Sequence, residues 1–502
     1  MSLLGLDVGT TGCKAIVFDP SGKVLGQAYR EYPLIHRQPG WIELDSDLVW
    51  RCTREAISEA VAAAPKGDPV KAIAISCLGE AVTPISADGK ALSLSTIGFD
   101  NRSVDQGRWW DENMGKEPLF QITGQPLNLI YTINKIMWWR DNEPQVFDKA
   151  WKFLCYGDLT AYRLGAEPVI DFSMAGRTMA FDIRAGRWSQ EILQKAQVGE
   201  DRLPRAEPSG TIIGEVSDSV AKELGLRGKV KIVTGAHDQP AGALGAGITK
   251  PRIAMDATGT VECITPAFAQ PVLTEAMLRF NYPCYPHAVR GMYVTISFNF
   301  TGGSLLRWYR DVLGKQEVDE AEVADLDVYE IMIGKATSGP SPLLVLPHFT
   351  MTGTPWMDAQ ARGAILGLML STTKADFIKG LLDGLTYEMR LNLDCLQQAG
   401  VQIDVLRAIG GGAKSRTWLQ LKADIFNRPV CSLSVSEAAC LGVALLAGTA
   451  TGEYASIEEA AEATVKVTET FDPDPKMVPQ YEERYRLYRE TYPLLSGLLH
   501  RM

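Results

Sequence analysis

The chain has 502 residues, with 50 Lys+Arg against 60 Asp+Glu for a formal net charge of −10, and is 46% hydrophobic and 22% charged. This composition excludes wholesale disorder, and the length allows roughly two to four domains. The acidic balance, with no block of lysine and arginine to offset it, argues against a protein that tracks nucleic-acid phosphates.

The opening MSLLGLDVGT reads as a strand and not as a secretory leader, because Asp7 interrupts the apolar run and no basic segment precedes it. It continues as LLGLDVGTTGCKAIVFD: an apolar run, an Asp, a glycine–threonine turn and a second apolar run, the pattern of a tight β-hairpin. Residues 46–63 have helical spacing with Ser46 as the expected N-cap, and KAIAISCL (71–78) is a short buried strand. The pairs Trp109-Trp110 and Trp138-Trp139 read as core or interface packing. KVKIVTGA (229–236) is a further strand, running into the glycine- and alanine-rich HDQPAGALGAG (237–247), the expected hinge.

Residues 252–265, RIAMDATGTVECIT, then repeat the first arrangement, with Asp256 followed by a Gly259-Thr260 turn. The two aspartates are 256 − 7 = 249 residues apart, about half the chain, which points to two related lobes. Beyond them MYVTISF is a strand, 373–400 a long helix ended by Gly400, VLRAIGGGAKS a strand entering a glycine turn, and SRTWLQLKADIF a helix. Residues 470–502 read as a loop and a polar surface helix. The alternation predicts α/β lobes with mixed sheets, divided into 1–246 and 247–502. No apolar run reaches the ~20 residues a bilayer requires. Nine cysteines without a CxxC pair or regular spacing give no disulfide or zinc framework. A reduced, cytoplasmic protein is expected.

Four glycine turns carry the candidate chemistry: Gly9-Thr10-Thr11-Gly12, Gly259-Thr260, Gly302-Gly303 and Gly410-Gly411-Gly412. Without Cβ atoms, backbone N–H groups can approach a phosphate closely, and neighbouring threonines add donors. Each alone is better explained by a structural turn, but two at the same place in two lobes suit a clamp around a triphosphate. Lys14 supplies a positive charge beside the first. Neither a GxxxxGK[ST] loop nor a strand-borne GxGxxG occurs, so a nucleotide site here is not of P-loop or Rossmann type. Asp7, at the end of a strand by the first turn, is a candidate to hold Mg²⁺ through its water shell. Asp238 ends the strand entering the hinge, where a carboxylate can take a proton from an attacking hydroxyl; the alternative is a helix N-cap. His237 reads as a positioning or packing residue. Glu80, at a strand end, suits polar contacts to a hydroxylated ligand or is a loop residue.

Together these motifs resemble the FGGY family of carbohydrate kinases, of the actin/sugar-kinase/heat-shock ATPase superfamily, from Leu4 to about Ala447. DVGTTGCKA and DATGTVE resemble its two phosphate motifs and GGGAKSRTWLQLKADI its adenosine motif; 132–142 and 363–384 are similar to its two signatures, with departures at Ile130, Trp139, Gly380 and Leu381. The resemblance implies two ribonuclease-H-like lobes, with mixed sheets flanked by helices and an interlobe active-site cleft. It implies ATP and Mg²⁺ as cofactors, a small sugar or polyol as substrate, no nucleic-acid or membrane partner, and a possible homodimer. It makes Asp238 the general base and Asp7 the carboxylate near Mg²⁺. Thr10, Thr11, Lys14, Gly259, Thr260 and Gly303 fall around the β- and γ-phosphates. Gly411, Gly412 and Ala413 fall at adenosine and the α-phosphate, while Glu80, Asp238 and Gln239 face the sugar. Lys14 stands where glycerol kinases have arginine. Gly79-Glu80 replaces the Met-His of xylulokinases and lacks the arginine of the Arg-Glu pair of glycerol kinases; Gly98 stands where tryptophan is common. The expected substrate is a ketose such as xylulose; glycerol, erythritol or gluconate are the alternatives, with a non-kinase actin- or chaperone-like ATPase behind them.

Overall fold

The computed structural model describes residues 2–502. Its first half is built on six strands: β1 (Ser2–Val8), β2 (Gly12–Phe18), β3 (Val24–Glu31), β4 (Val70–Cys77), β5 (Ile212–Glu215) and β6 (Lys231–His237). They lie in the order β3-β2-β1-β4-β6-β5, with β1, β4 and β6 parallel and the remaining pairings antiparallel. The second half repeats this with β7 (Ile253–Thr258), β8 (Glu262–Phe268), β9 (Ser297–Asn299), β10 (Val405–Gly410), β11 (Val430–Leu433) and β12 (Val467–Phe471). Their order is β9-β8-β7-β10-β11-β12, again with a parallel centre and antiparallel flanks. Asp7 and Asp256 therefore occupy equivalent places, each in the first strand of a hairpin, and the half-chain spacing reflects a repeated topology. The parallel strands of the first lobe are buried on both faces, which is why they read as near-continuous apolar runs.

The helices used below are α1 (Ser46–Ala63), α2 (Asp238–Gly245), α3 (Gly303–Val312), α4 (Lys374–Gln398), α5 (Arg416–Phe426), α6 (Ala438–Ala450) and α7 (Val478–Leu499). The cap of α1 is Asp45, whose carboxylate accepts from the amides of Asp47 at 2.9 Å and Leu48 at 3.2 Å; Ser46 is already inside the helix. The segment expected as the hinge is helical over α2. Its glycines serve helix packing: a Cβ on Gly245 would lie 1.8 Å from the Ala438 carbonyl oxygen, and one on Gly442 of α6 would lie 2.0 Å from that of Ala241. Helix α6, apolar all round, comes from the second half of the chain yet packs on α2, β1 and β4 of the first lobe.

Helix α7 departs from the expected polar surface helix, because Tyr481, Tyr485, Tyr488 and Tyr492 form a buried stripe. MYVTISF splits into two short strands, Tyr293–Val294 and Ser297–Asn299. Trp110, Trp138 and Trp139 are buried core residues as expected, and all nine cysteines are buried and unpaired.

Candidate active site

The two hairpins present their tips to solvent. Between β1 and β2 the Gly9 amide donates to the Gly12 carbonyl at 2.9 Å, closing a turn in which Thr11 is exposed. Between β7 and β8 the Gly259 amide donates to the Val261 carbonyl at 2.9 Å, leaving Gly259 and Thr260 exposed. The start of α3 docks on this second tip, Gly302 N donating to Thr260 O at 3.0 Å and Gly303 N to Gly259 O at 2.8 Å. The third turn leaves β10 at Gly410 and continues as a short 3₁₀ segment, Gly411–Lys414, with Gly411 exposed, Ala413 partly buried and Gly412 packed inside.

The equivalent aspartates differ in their surroundings. Asp7 is half-buried and accepts a hydrogen bond from Ser76 Oγ at 2.7 Å. Burial raises its carboxyl above the ordinary aspartate value, against the opposing effects of Ser76 and the Lys14 charge. Asp256 is fully buried, with Oδ2 2.7 Å from Lys422 Nζ. Lys14, opposite Asp7 in the hairpin register, reaches Glu437 at the start of α6, with Nζ 2.7 Å from Oε1.

Asp238 is the first residue of α2, directly after β6. His237 occupies the N-cap position without a side-chain capping bond, so Asp238 is not a cap. Its carboxylate is 43% exposed. Oδ1 is nevertheless buried with no hydrogen-bond partner among the described residues; His237 Nε2 lies 3.1 Å away without the alignment of a bond. Burial pushes the Asp238 carboxyl up to about 7, helped by the negative charges of Asp7 and Glu80 and opposed by the Gln239 amide and Arg177. A carboxylate poised near neutrality is suited to general-base work. Burial, and then Arg177, hold His237 well below the ordinary histidine range, so the imidazole is neutral; Tyr285 Oη is 3.3 Å from its Nδ1. Gln239 joins the lobes, accepting at Oε1 from Thr265 Oγ1 of β8 at 3.2 Å.

Glu80 has a left-handed φ of 60° and is buried. Its carboxylate meets Arg177, a residue the sequence reading passed over. Arg177 Nε donates to Glu80 Oε1 at 2.6 Å, Nη2 donates to the same oxygen, and Nη1 donates to Gln125 Oε1 at 3.2 Å. The guanidinium lies 5.3 Å from the ring centroids of both Tyr131 and Tyr285. The backbone carbonyl of Glu80 accepts from Thr132 Oγ1 and Lys135 Nζ, each at 3.2 Å. Thus the arginine that meets Glu80 comes from position 177, 97 residues beyond it. A side chain at 79 would collide with His237, since a Cβ there would be 2.6 Å from Nε2. The available signal was Arg177 itself, the only charge in SMAGRTMAF (173–181), since a charge in such a run needs a buried partner.

Among the described residues no group of three or more His, Cys, Asp or Glu is arranged to hold a metal ion, and no helix is long and apolar enough to cross a membrane. Two lobes of one topology carry glycine–threonine hairpins at equivalent places, and Asp238, its pKa raised to about 7, follows the last parallel strand of the first lobe. The chain belongs to the FGGY family of carbohydrate kinases: the sequence models of that family's N-terminal and C-terminal domains match residues 2–245 and 256–451. It is accordingly a phosphotransferase with an alcohol group as acceptor, in a family that uses ATP. It is 29% identical to the xylulose kinase of Staphylococcus epidermidis over 491 residues, covering 98% of this chain and 96% of that one. It is 27% identical to the autoinducer-2 kinase of Salmonella typhimurium over 506 residues, covering 98% and 94%. The crystal structure of the xylulose kinase from Rhodospirillum rubrum superposes with a TM-score of 0.90 at 26% identity, covering 100% of both chains.

Proposed function

We propose that this protein transfers the γ-phosphate of ATP to a hydroxyl of a neutral ketose such as xylulose, with Asp238 as the general base. The observation that carries this reading is Asp238: a carboxylate at a strand end, one oxygen buried without a partner, its pKa raised to about 7 beside Asp7 and Glu80. As the acceptor oxygen attacks, Asp238 takes its proton, an effect worth roughly 10²–10⁴-fold. Glu80, Asp238 and Gln239 would hold the sugar, with Arg177 fixing Glu80. Thr10, Thr11, Lys14, Gly259, Thr260 and Gly303 would surround the β- and γ-phosphates, and Gly411, Gly412 and Ala413 the adenosine and α-phosphate. Phosphoryl transfer needs little covalent chemistry from the protein, so this positioning is most of the catalysis. Closure of the lobes 1–246 and 247–502 would exclude water and favour the sugar over hydrolysis.

Asp7 is the residue that would hold Mg²⁺. One of its oxygens is occupied by Ser76 and no all-protein cage surrounds it, which fits an ion that keeps its waters and shares the nucleotide phosphates. Bound there, Mg²⁺ neutralises charge on the β- and γ-phosphates.

The charge of the pocket favours a neutral acceptor over an aldonate. Asp7 and Glu80 are close enough to Asp238 to raise its pKa, and the guanidinium of Arg177 is already bound to Glu80. A substrate carboxylate would add a further negative charge to this group, where Arg177 is bound to Glu80 and Lys135 is held by the backbone carbonyls of Glu80 and Ile130. The names of the curated xylulose kinase relatives support the same class. An ADP-release screen over pentuloses, hexuloses, tetruloses, polyols and aldonates tests the reading: a neutral ketose should give the highest kcat/KM and gluconate none. Equal turnover on gluconate, or ADP release independent of any acceptor, would contradict it.

Lys14→Ala should raise the KM for ATP by roughly tenfold, with the acceptor KM little changed, because it removes a charge-assisted donor from the phosphate site. An unchanged KM for ATP in steady-state kinetics would remove Lys14 from the nucleotide site.

A further inference from the structure

Lys422, on α5, is 1% exposed. Its ammonium donates to Asp256 Oδ2 at 2.7 Å and Thr258 Oγ1 at 2.6 Å, and lies 2.7 Å from Glu262 Oε1. These three groups form the stem of the second hairpin. Asp256 and Thr258 alternate along β7 and so share a face, and Thr258 pairs directly with Glu262 of β8. Thr258 also abuts the adenosine-side glycine turn: a Cβ on Gly412 would lie 2.7 Å from Thr258 Cβ. Helix α5 follows that turn, capped by Ser415, whose Oγ accepts from the Trp418 amide at 3.3 Å. Lys422 therefore ties the helix that leaves one glycine turn to both strands of the other. At the equivalent place in the first lobe, among the described residues, the Asp7 carboxylate accepts from a serine and no lysine bridges it. Two buried carboxylates on one ammonium are poor evidence of a gain in stability, since apolar replacements of such clusters are often as stable. Their placement under the hairpin suits a geometric role.

We infer that Lys422 is a positioning residue for the nucleotide, locking the second phosphate hairpin against the glycine turn at 410–412 so that both meet one triphosphate preassembled. This rests on the nucleotide site proposed above. Lys422→Met alone strands two buried carboxylates and threatens the fold. The test therefore uses two other variants: the neutral triple Asp256→Asn/Glu262→Gln/Lys422→Met, and Thr258→Val, which leaves the ion cluster paired. Melting curves establish folding, calorimetry gives the Kd for ADP, and steady-state kinetics give kcat and both KM values. In the triple variant the ADP Kd and the KM for ATP should rise about tenfold, with the acceptor KM and the kcat at saturating ATP within about twofold of the parent. Thr258→Val should show the same split at about threefold. Unchanged ATP KM and ADP Kd in folded Thr258→Val would overturn the inference, as would a uniform fall in kcat with both KM values raised. Failure of the unsubstituted chain to bind ADP would overturn the nucleotide site itself, and is distinguishable because the parent then carries the defect.

Discussion

Asp238→Asn is expected to lower kcat for sugar phosphorylation by about 10³-fold while leaving ADP affinity at the parental value. The substitution keeps the shape of the side chain and removes the proposed base, which the proposed function sets against the sugar and away from the nucleotide. The same residue sets the pH dependence. Only the ionised carboxylate accepts a proton, so kcat/KM of the parent should climb with pH through an acid limb near 7, and the residual rate of the variant should lack that limb. The effect on stability has the opposite direction. The folded pKa is raised above the ordinary aspartate value of 3.8 to about 7, so between those values the native state holds a proton that the unfolded chain has lost. Stability contributed by this group is therefore present at low pH and lost as pH rises through that window. Asp238→Asn escapes the loss and should melt above the parent at pH values above 7. Pre-steady-state and pH–rate measurements with thermal melts check all of this. Parental turnover on the true sugar would remove Asp238 as the base.

The second large effect concerns Arg177. Arg177→Met leaves the buried Glu80 carboxylate without its partner and should destabilise the fold by about 3–5 kcal/mol, a clear drop in melting temperature. Adding Glu80→Gln removes the stranded charge and should recover most of that stability. The double variant should still show a raised acceptor KM, because Glu80 no longer offers an ionised acceptor to the sugar, while the KM for ATP stays parental. Melting curves and a two-substrate kinetic matrix separate the two roles. An Arg177→Met protein that melts like the parent, or a shift in ATP KM alone, would contradict the assignment.

The elements that carry the fold were legible where the signal is local. The β1–β2 and β7–β8 hairpins announce themselves as apolar runs broken by a glycine–threonine turn, and their spacing revealed the repeated lobe. Their different uses were not legible: what separates Asp7 from Asp256 is Lys422, 166 residues beyond Asp256, and only the tertiary fold brings it there. The Glu80–Arg177 pair was hidden for the same reason. The helix within 237–247 was hidden because glycine suits loops; glycine also lets two helix backbones touch, and α2 against α6 uses it for that. Helix α7 was misread although its signal was present: Tyr481, Tyr485, Tyr488 and Tyr492 recur at i, i+4, i+7 and i+11, a buried stripe outweighed by the charges around it.

The most direct measurement is a one-pot competition: the protein, Mg²⁺-ATP and equal amounts of neutral ketoses, polyols and aldonates, followed by mass spectrometry of the acceptors. The expected result is the added mass of one phosphate on a neutral ketose, dependent on Asp238, with the aldonates untouched. ATP consumption without a phosphorylated acceptor, or phosphate appearing on an aldonate first, would contradict a neutral-sugar kinase built around Asp238.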